Sequence, residues 1–297
     1  MRPGLHETGP VRRDLEGDTV VVAAGVGEAA RAQRAADLDR WLATLLPAGI
    51  GVGIALVGVG GLGRGECAPR SDLDLAVVHD GRPDADTIGS AIWYSVWDAK
   101  YSLDHSTRSV AEAMAMAGED IKVAMGLLDA RLIAGDADLV ARLHTAAVAR
   151  WRRDARRQLP MLAELTRRRW ETHGELAFLL EGDVKESRGG LRDFGVLRGI
   201  GYAGIADVAR PAVRAAHRFL LDVRDAMHVV RGRRIDRLLA QDREEVARAL
   251  ELADGPDGWD RLGVGISALT LVLLAAFGAY SLRRRRRQST EPASSTE

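Results

Sequence analysis

This sequence of 297 residues contains one cysteine and three lysines, and its formal net charge is zero. The one cysteine, Cys67, has no partner for an internal disulfide and no companions for a cysteine-based zinc site. Lysine plus arginine and aspartate plus glutamate number 42 each, and this balance gives no support for a nucleic-acid-binding protein. Residues 1–18 contain no apolar run and therefore do not form a secretory signal. These absences predict a reducing, cytoplasmic setting.

The sequence does contain enough apolar residues for a packed core, since 46% are hydrophobic and 28% are charged. One long uncharged run occupies residues 263–282, and five arginines follow it. A run of this length is about what a helix needs to cross a bilayer. Three interpretations stay open: a membrane anchor, a helix against the protein or the membrane surface, and the tail of a truncated gene product. An anchor would place residues 1–262 outside the cytoplasm, because arginine-rich flanks stay inside.

Hydrophobic periodicity predicts an α+β fold, in which a small mixed sheet precedes an all-helical domain and a C-terminal apolar helix. The first predicted elements are a helix at 28–46, a strand at 51–59, a strand at 72–78, a helix at 84–97 and a strand at 101–109. From Val110 onward the pattern is almost purely helical, most clearly at 213–230. The predicted regions are a flexible lead (1–24), the sheet domain (25–115), the helical domain (116–260) and the apolar segment with its tail (261–297).

Two aspartates head the second predicted strand, in GGLGRGECAPRSDLDLAVV at 60–78. Because alternate residues of a strand face the same side, Asp72 and Asp74 project together. Two carboxylates held close repel each other unless a cation lies between them. Mg²⁺ is usually held by one or two carboxylates together with substrate phosphates. The spacing therefore predicts that Asp72 and Asp74 bind Mg²⁺; the alternative is ordinary turn chemistry at the start of a strand.

The glycine-rich loop before these aspartates predicts a phosphate site. Glycines leave backbone N–H groups open to a close approach by an anion, and Arg64 adds a bidentate donor. Combined with the metal-binding aspartates, the loop indicates a nucleoside triphosphate site. The predicted nucleotide-binding residues in this stretch are Gly60, Gly61, Gly63, Arg64, Gly65 and Ser71.

This stretch, VGVGGLGRGECAPRSDLDLAVV, resembles the nucleotidyltransferase domain of bacterial protein-PII uridylyltransferases, a family of the polymerase-β-like superfamily. Three later segments resemble the same family in the same order: WDAKYSLDHSTRS (97–109), GDVKESRGGLRDFGVLRGI (182–200) and FLLDVRDAMHVVRGRRIDRLLAQD (219–242). The resemblance covers roughly residues 25–260 and implies a nucleotidyltransferase fold with a helical domain behind it. It also implies UTP as donor, Mg²⁺ as cofactor and a tyrosine hydroxyl of a PII signalling protein as acceptor.

The same resemblance implies a third carboxylate on a neighbouring strand. Asp104 is the candidate, ahead of Asp98, and would serve as a base or as a third metal ligand. The alternative for Asp104 is an exposed strand aspartate, since a general base must lie within hydrogen-bond reach of the acceptor hydroxyl. His105 is expected to be a packed structural histidine, and Cys67 a small filler residue.

The VKESRGGLRDFG segment supplies two further candidates, Lys185 and Arg192, which the resemblance places against the triphosphate. The glycine pair 189–190 would let the segment close, and Asp193 would orient Arg192. The alternative is a structural turn in which Asp193 only pairs with Arg192. Most arginine runs elsewhere are expected to be solvated helix faces.

The resemblance ends before the HD-type phosphohydrolase and ACT domains of the family, so uridylyl-removing activity and glutamine sensing are not expected. The motif contacts phosphates and metal rather than the base, so an adenylyltransferase using ATP stays an alternative. A nucleotide-binding regulatory remnant without turnover is a second alternative.

Overall fold

The computed structural model describes residues 25–205 and 211–252, together with the backbone of two short strands. These strands, β1 (Val11–Arg13) and β2 (Val20–Val22), pair antiparallel in the region expected to be a flexible lead. The apolar segment 263–282 and its membrane interpretation lie outside the described residues. Inside them, no helix combines the length and the apolar character needed to cross a membrane.

A four-stranded mixed sheet confirms the predicted α+β class. Its strands are β3 (Ile54–Gly58), β4 (Leu73–His79), β5 (Leu103–Ser109) and β6 (Arg131–Gly135). They lie in the order β5-β4-β3-β6. β3 is antiparallel to both β4 and β6, whereas β4 and β5 are parallel.

Nine α-helices are described around and after this sheet. They are α1 (Glu28–Thr44), α2 (Gly60–Gly63), α3 (Ala85–Asp98), α4 (Val110–Glu119), α5 (Ile121–Leu128), α6 (Ala137–His173), α7 (Leu191–Tyr202), α8 (Pro211–Arg231) and α9 (Arg243–Ala249). The predicted helices at 28–46, 84–97 and 213–230 are confirmed within a few residues. The predicted strands before residue 110 are confirmed as well.

The two central strands are buried on both faces, which explains their continuous apolar runs. Alternate residues of β3 and β4 point to opposite sides, and each side has its own core. One core holds Leu56 and Leu75 against α1 and α3. The other holds Val57 and Val78 against α4, α5 and α6. The sheet thus forms a rigid platform for side chains at the head of β4.

The prediction of an almost purely helical chain after Val110 is wrong at β6, which pairs with β3. The α4 and α5 helices return the chain to the far edge of the sheet, beyond the boundary expected at residue 115. Arg131 of β6 donates to both carboxylate oxygens of Asp39 in α1, at 2.6 and 2.9 Å. The last strand is therefore held both by its pairing with β3 and by the ion pair between Arg131 and Asp39.

Candidate active site

Asp74 and Asp104 lie directly opposite each other on β4 and β5. In a parallel ladder, residues in register project from the same face, so their carboxylates share one side of the sheet. Burial raises the pKa of the Asp74 carboxyl, and the charges of Asp104 and Asp72 raise it further. Lys185 and Arg192 oppose this shift, which places both cations within electrostatic reach of Asp74. The structure therefore brings together five residues that were singled out from the sequence.

Asp72 precedes β4 and has two differently placed oxygens. Its Oδ2 accepts from Arg234, in the loop after α8. Its Oδ1 is buried and has no hydrogen-bond partner among the described residues. An unpaired buried carboxylate oxygen is costly, and a cation would satisfy it.

The glycine-rich loop forms a single short helical turn, α2, beneath Asp74. Gly60 has a φ of 53°, and a Cβ there would lie 2.8 Å from Oδ2 of Asp74. Gly63 packs against backbone, since its Cβ would lie 2.1 Å from the Asp129 carbonyl oxygen. Gly65 has a φ of 69°, a backbone conformation that favours glycine. A Cβ on Gly61 would meet open space. Gly60 therefore permits the approach of Asp74, and Gly61 leaves room for a ligand.

Arg64 lies inside an ion network. Its guanidinium donates to Glu66 and to Asp129, and Asp129 also accepts from Arg198. Burial alone would lower the pKa of Arg64, but Glu66 and Asp129 outweigh it and raise the pKa. The structure thus gives Arg64 protein partners, and its predicted contact with phosphate stays a prediction.

Ser71 joins the end of the loop to the helical part of the chain. Its Oγ accepts from the Ala68 N–H and from Nη1 of Arg224, both at 3.0 Å. Arg224, in α8, also donates from Nε to Asp236 at 2.6 Å. This serine therefore fixes the entry to β4 in the structure, and nucleotide binding by Ser71 stays a prediction.

Lys185 reaches the site from the segment between α6 and α7, and Arg192 from the first turn of α7. Lys185 pairs with Asp236 at 3.8 Å, and burial lowers the pKa of its ammonium. Arg192 pairs with Glu186 at 3.1 Å and is more than half exposed. Both cations are near enough to lower the pKa of Asp74.

The expected pairing of Asp193 with Arg192 is wrong. Asp193 is buried and accepts from Arg169, from the Trp170 indole N–H at 3.0 Å and from the Gly189 N–H at 2.7 Å. A Cβ on Gly190 would meet three carbonyl oxygens within 3.0 Å. The glycine pair therefore forms a tight turn between Lys185 and Arg192. Asp193 stabilises this turn and does not orient Arg192.

Three site residues were missed from the sequence: Arg224, Arg234 and Asp236. All lie in the segment FLLDVRDAMHVVRGRRIDRLLAQD: Arg224 is a buried residue of α8, and Arg234 and Asp236 follow the end of that helix. Burial would raise the pKa of Asp236, but His228 and the cations Arg224 and Lys185 outweigh it and lower the pKa. The mixed charges of RGRRIDR at 231–237, just after α8, could have indicated a polar site. They could not have shown that Arg234 pairs with Asp72.

Cys67 is buried as expected, whereas the expectation of a packed His105 is met only in its ring contacts. Cys67 is buried, and burial raises the pKa of its thiol to about 12. The His105 ring packs against Trp93 and Trp97, with centroids 4.9 and 5.3 Å apart, although its side chain is exposed. Asp98 and Asp104 are both exposed, as the alternative for Asp104 had it, but Asp104 also lies in register with Asp74.

The fit of a divalent cation rests on two carboxylates. Across the described ranges, no group of three or more His, Cys, Asp or Glu side chains is arranged to hold a metal ion. Mg²⁺, however, is usually bound through one or two carboxylates plus phosphate oxygens and water. Asp72 offers its unpaired Oδ1, and Asp74 is crowded by neighbouring negative charge. Asp72 and Asp74 suit such a shared site, and Asp104 as a third ligand stays a prediction.

Comparisons with known proteins agree with the resemblance noted in the sequence. Residues 201–262 match a family model described as GlnD PII-uridylyltransferase. A bifunctional uridylyltransferase/uridylyl-removing enzyme from Streptomyces coelicolor is 50% identical over 220 residues, which are 73% of this chain and 26% of that protein. The protein of the same name from Mycobacterium tuberculosis is 43% identical over 213 residues, 68% of this chain and 26% of the relative. A third, from Corynebacterium glutamicum, is 35% identical over 210 residues, 71% of this chain and 29% of the relative.

The chain spans about a quarter of the length of these curated relatives. The family-model match covers α8 and α9, which contribute Arg224 and border the segment with Arg234 and Asp236. The resemblance inferred from the residues is confirmed: the chain contains part of a GlnD PII-uridylyltransferase domain and is related to these bifunctional enzymes over about 70% of its length.

Proposed function

We propose that the chain is a nucleotidyltransferase that transfers the uridylyl group of UTP to a tyrosine hydroxyl of a PII-type protein. The pairing of Asp74 with Asp104 on neighbouring strands, beside Asp72, is the observation that carries the proposal. A like-charge cluster at the head of a buried strand is unfavourable without a cation. The names of the matching family and relatives support uridylyl transfer as the reaction and a PII protein as the acceptor.

In this proposal Asp72 and Asp74 hold Mg²⁺, which would stabilise charge on the transferred phosphoryl group. Lys185 and Arg192 bind triphosphate oxygens in this proposal. Both cations are near enough to lower the pKa of the Asp74 carboxyl, so both lie near the proposed metal site. Binding triphosphate would give Arg192 a partner other than Glu186, which now holds it at 3.1 Å. The backbone at Gly61 faces open space and suits close approach by a phosphate.

The transfer step is a single displacement. The acceptor oxygen forms a bond to the α-phosphorus of UTP, and the bond between that phosphorus and the bridging oxygen of pyrophosphate breaks. The hydroxyl proton goes to a carboxylate, for which Asp104 is placed on the same face as Asp74. If Asp104 serves as a metal ligand instead, water accepts the proton. The profile of rate against pH for Asp104→Asn separates these two roles.

The test uses radiolabelled UTP, Mg²⁺ and a purified PII-type protein. We expect label transfer by the wild type and none by Asp72→Asn or Asp74→Asn. Asp104→Asn should lose about 10²- to 10⁴-fold in rate if it is the base. Asp98→Asn is the matched control, because Asp98 is an exposed carboxylate outside the pair of strands and should leave the rate unchanged.

Several outcomes would contradict the proposal. Mg²⁺-dependent UTP binding without transfer would indicate a nucleotide-binding module. Transfer from ATP but not UTP would make the chain an adenylyltransferase. Persistence of transfer in Asp72→Asn would exclude this metal site.

Incubation with uridylylated PII protein tests the expected lack of removal activity directly.

A further inference from the structure

An exposed group of aromatic rings lies at the edge of the sheet, on the face opposite to Asp74 and Asp104. Tyr94 and Trp97 are in α3 and are 66% and 41% exposed, and His105 is an exposed residue of β5. The Tyr94 and Trp97 rings meet edge to face at 5.6 Å, and Trp97 meets His105 in the same way at 5.3 Å. We call Tyr94, Trp97 and His105 the aromatic cluster. Exposed aromatic side chains held in fixed geometry are typical anchors of protein interfaces.

The aromatic cluster adjoins the edge of the sheet. β5 is the outermost strand, and no other strand of the described residues pairs with its free side. The Leu73 N–H donates to the Ser102 carbonyl, so the main chain of residues 102 and 104 faces β4. The main-chain groups of Leu103, His105 and Thr107 therefore point away from the sheet. An edge of this kind is a template for an added strand.

The register relates this edge to the reaction. A strand added to β5 would lie about 4.8 Å away, with side chains alternating between the two faces. A residue opposite Asp104 would project onto the face that Asp104 shares with Asp74. The next residue would project onto the face of His105, where the aromatic cluster lies. One extended segment thus reaches the carboxylates and the rings with neighbouring side chains.

We propose that β5 and the aromatic cluster dock the acceptor protein, which binds as an extended segment added to the edge of the sheet. The proposal rests on the proposed function, because the tyrosine of that segment would lie opposite Asp104. A large apolar or aromatic residue next to the tyrosine would contact Trp97 and Tyr94. The main-chain bonds supply affinity, and the alternating side chains supply selection of the acceptor.

Kinetics with UTP and a purified PII-type protein test the proposal in the full chain. Trp97→Ser and Tyr94→Ser should each raise the KM for the PII protein about tenfold, while kcat and the KM for UTP stay near wild type. Tyr94 is 66% exposed, so its truncation should not impair folding. Phe178→Ser is the matched control, because Phe178 is 79% exposed and lies after α6, so both KM values should be unchanged.

Hydrogen exchange tests strand addition independently of turnover. The amides of Leu103, His105 and Thr107 should become protected by the PII protein and not by UTP alone. Normal transfer with an unchanged KM in both variants, or an unprotected β5 in the complex, would overturn docking alone. Binding that depends on Trp97 without any transfer would overturn the proposed function alone. A wild type that neither binds nor modifies the PII protein would overturn both.

Discussion

Replacing Gly60 by alanine tests how the site positions Asp74. Gly60 has a φ of 53°, a conformation that costs an L-residue about 1–2 kcal/mol. The added Cβ would lie 2.8 Å from Oδ2 of Asp74, whereas ordinary contact begins at 3.4 Å. The carboxylate must therefore move by roughly 0.6 Å, and a 1 Å misplacement costs about 100-fold in rate. We expect Gly60→Ala to lose about 1–2 kcal/mol of stability and tenfold or more in kcat.

Urea unfolding and label transfer to PII protein measure the two effects separately. Gly195→Ala is the control, because Gly195 lies in α7 and a Cβ there meets nothing within 4 Å. This substitution should raise the free energy of unfolding by about 0.5–1 kcal/mol and leave the rate unchanged. A folded Gly60→Ala variant with wild-type kcat would refute the claim that the glycine positions Asp74 for the reaction.

Three further substitutions have expected outcomes. Gly61→Ala should not lower the free energy of unfolding, because the added Cβ meets open space. It should raise the KM for UTP if phosphate binds there, and an unchanged KM would place the triphosphate elsewhere. Asp236→Asn should destabilise by about 1.5–3 kcal/mol at pH 7. The pKa of Asp236 is lowered by folding, so its charge stabilises above about pH 4 and this contribution fades in acid, where urea unfolding of variant and wild type should converge. Asp74→Asn should do the reverse in protein without metal: folding raises the pKa of Asp74, so its charge destabilises the fold as the pH rises through that pKa. A variant less stable than wild type at pH 7 would contradict this sign.

Local patterns predicted most of the sheet and the helices around it. The run GVGIALVGV predicted β3, and the buried face of α8 followed from its three–four repeat. The strand β6 was missed because RLIAG is short, follows a helical pattern closely and is only half-buried. Short strands of this kind are decided by pairing with distant residues rather than by their own sequence.

The site was predictable where neighbours in sequence are neighbours in space. Asp72 and Asp74 follow from the period of a strand, whereas the pairing of Asp74 with Asp104 depends on the register of two strands joined by a crossover. Arg64 was expected to be available for phosphate, but Asp129, 65 positions away, pairs with it. The residues that flank the motif give no indication of such long-range ion pairs.

The position of β6 limits how this protein can be divided for expression. A fragment that ended at residue 115 would lack β6 and would turn β3 into an open edge. All five residues of β3 are buried in the intact sheet, so that edge would be apolar and without its neighbour. Edges of this composition associate with other chains. A fragment intended to isolate the carboxylate site should therefore extend beyond Gly135 and into α6, which packs against the same strand.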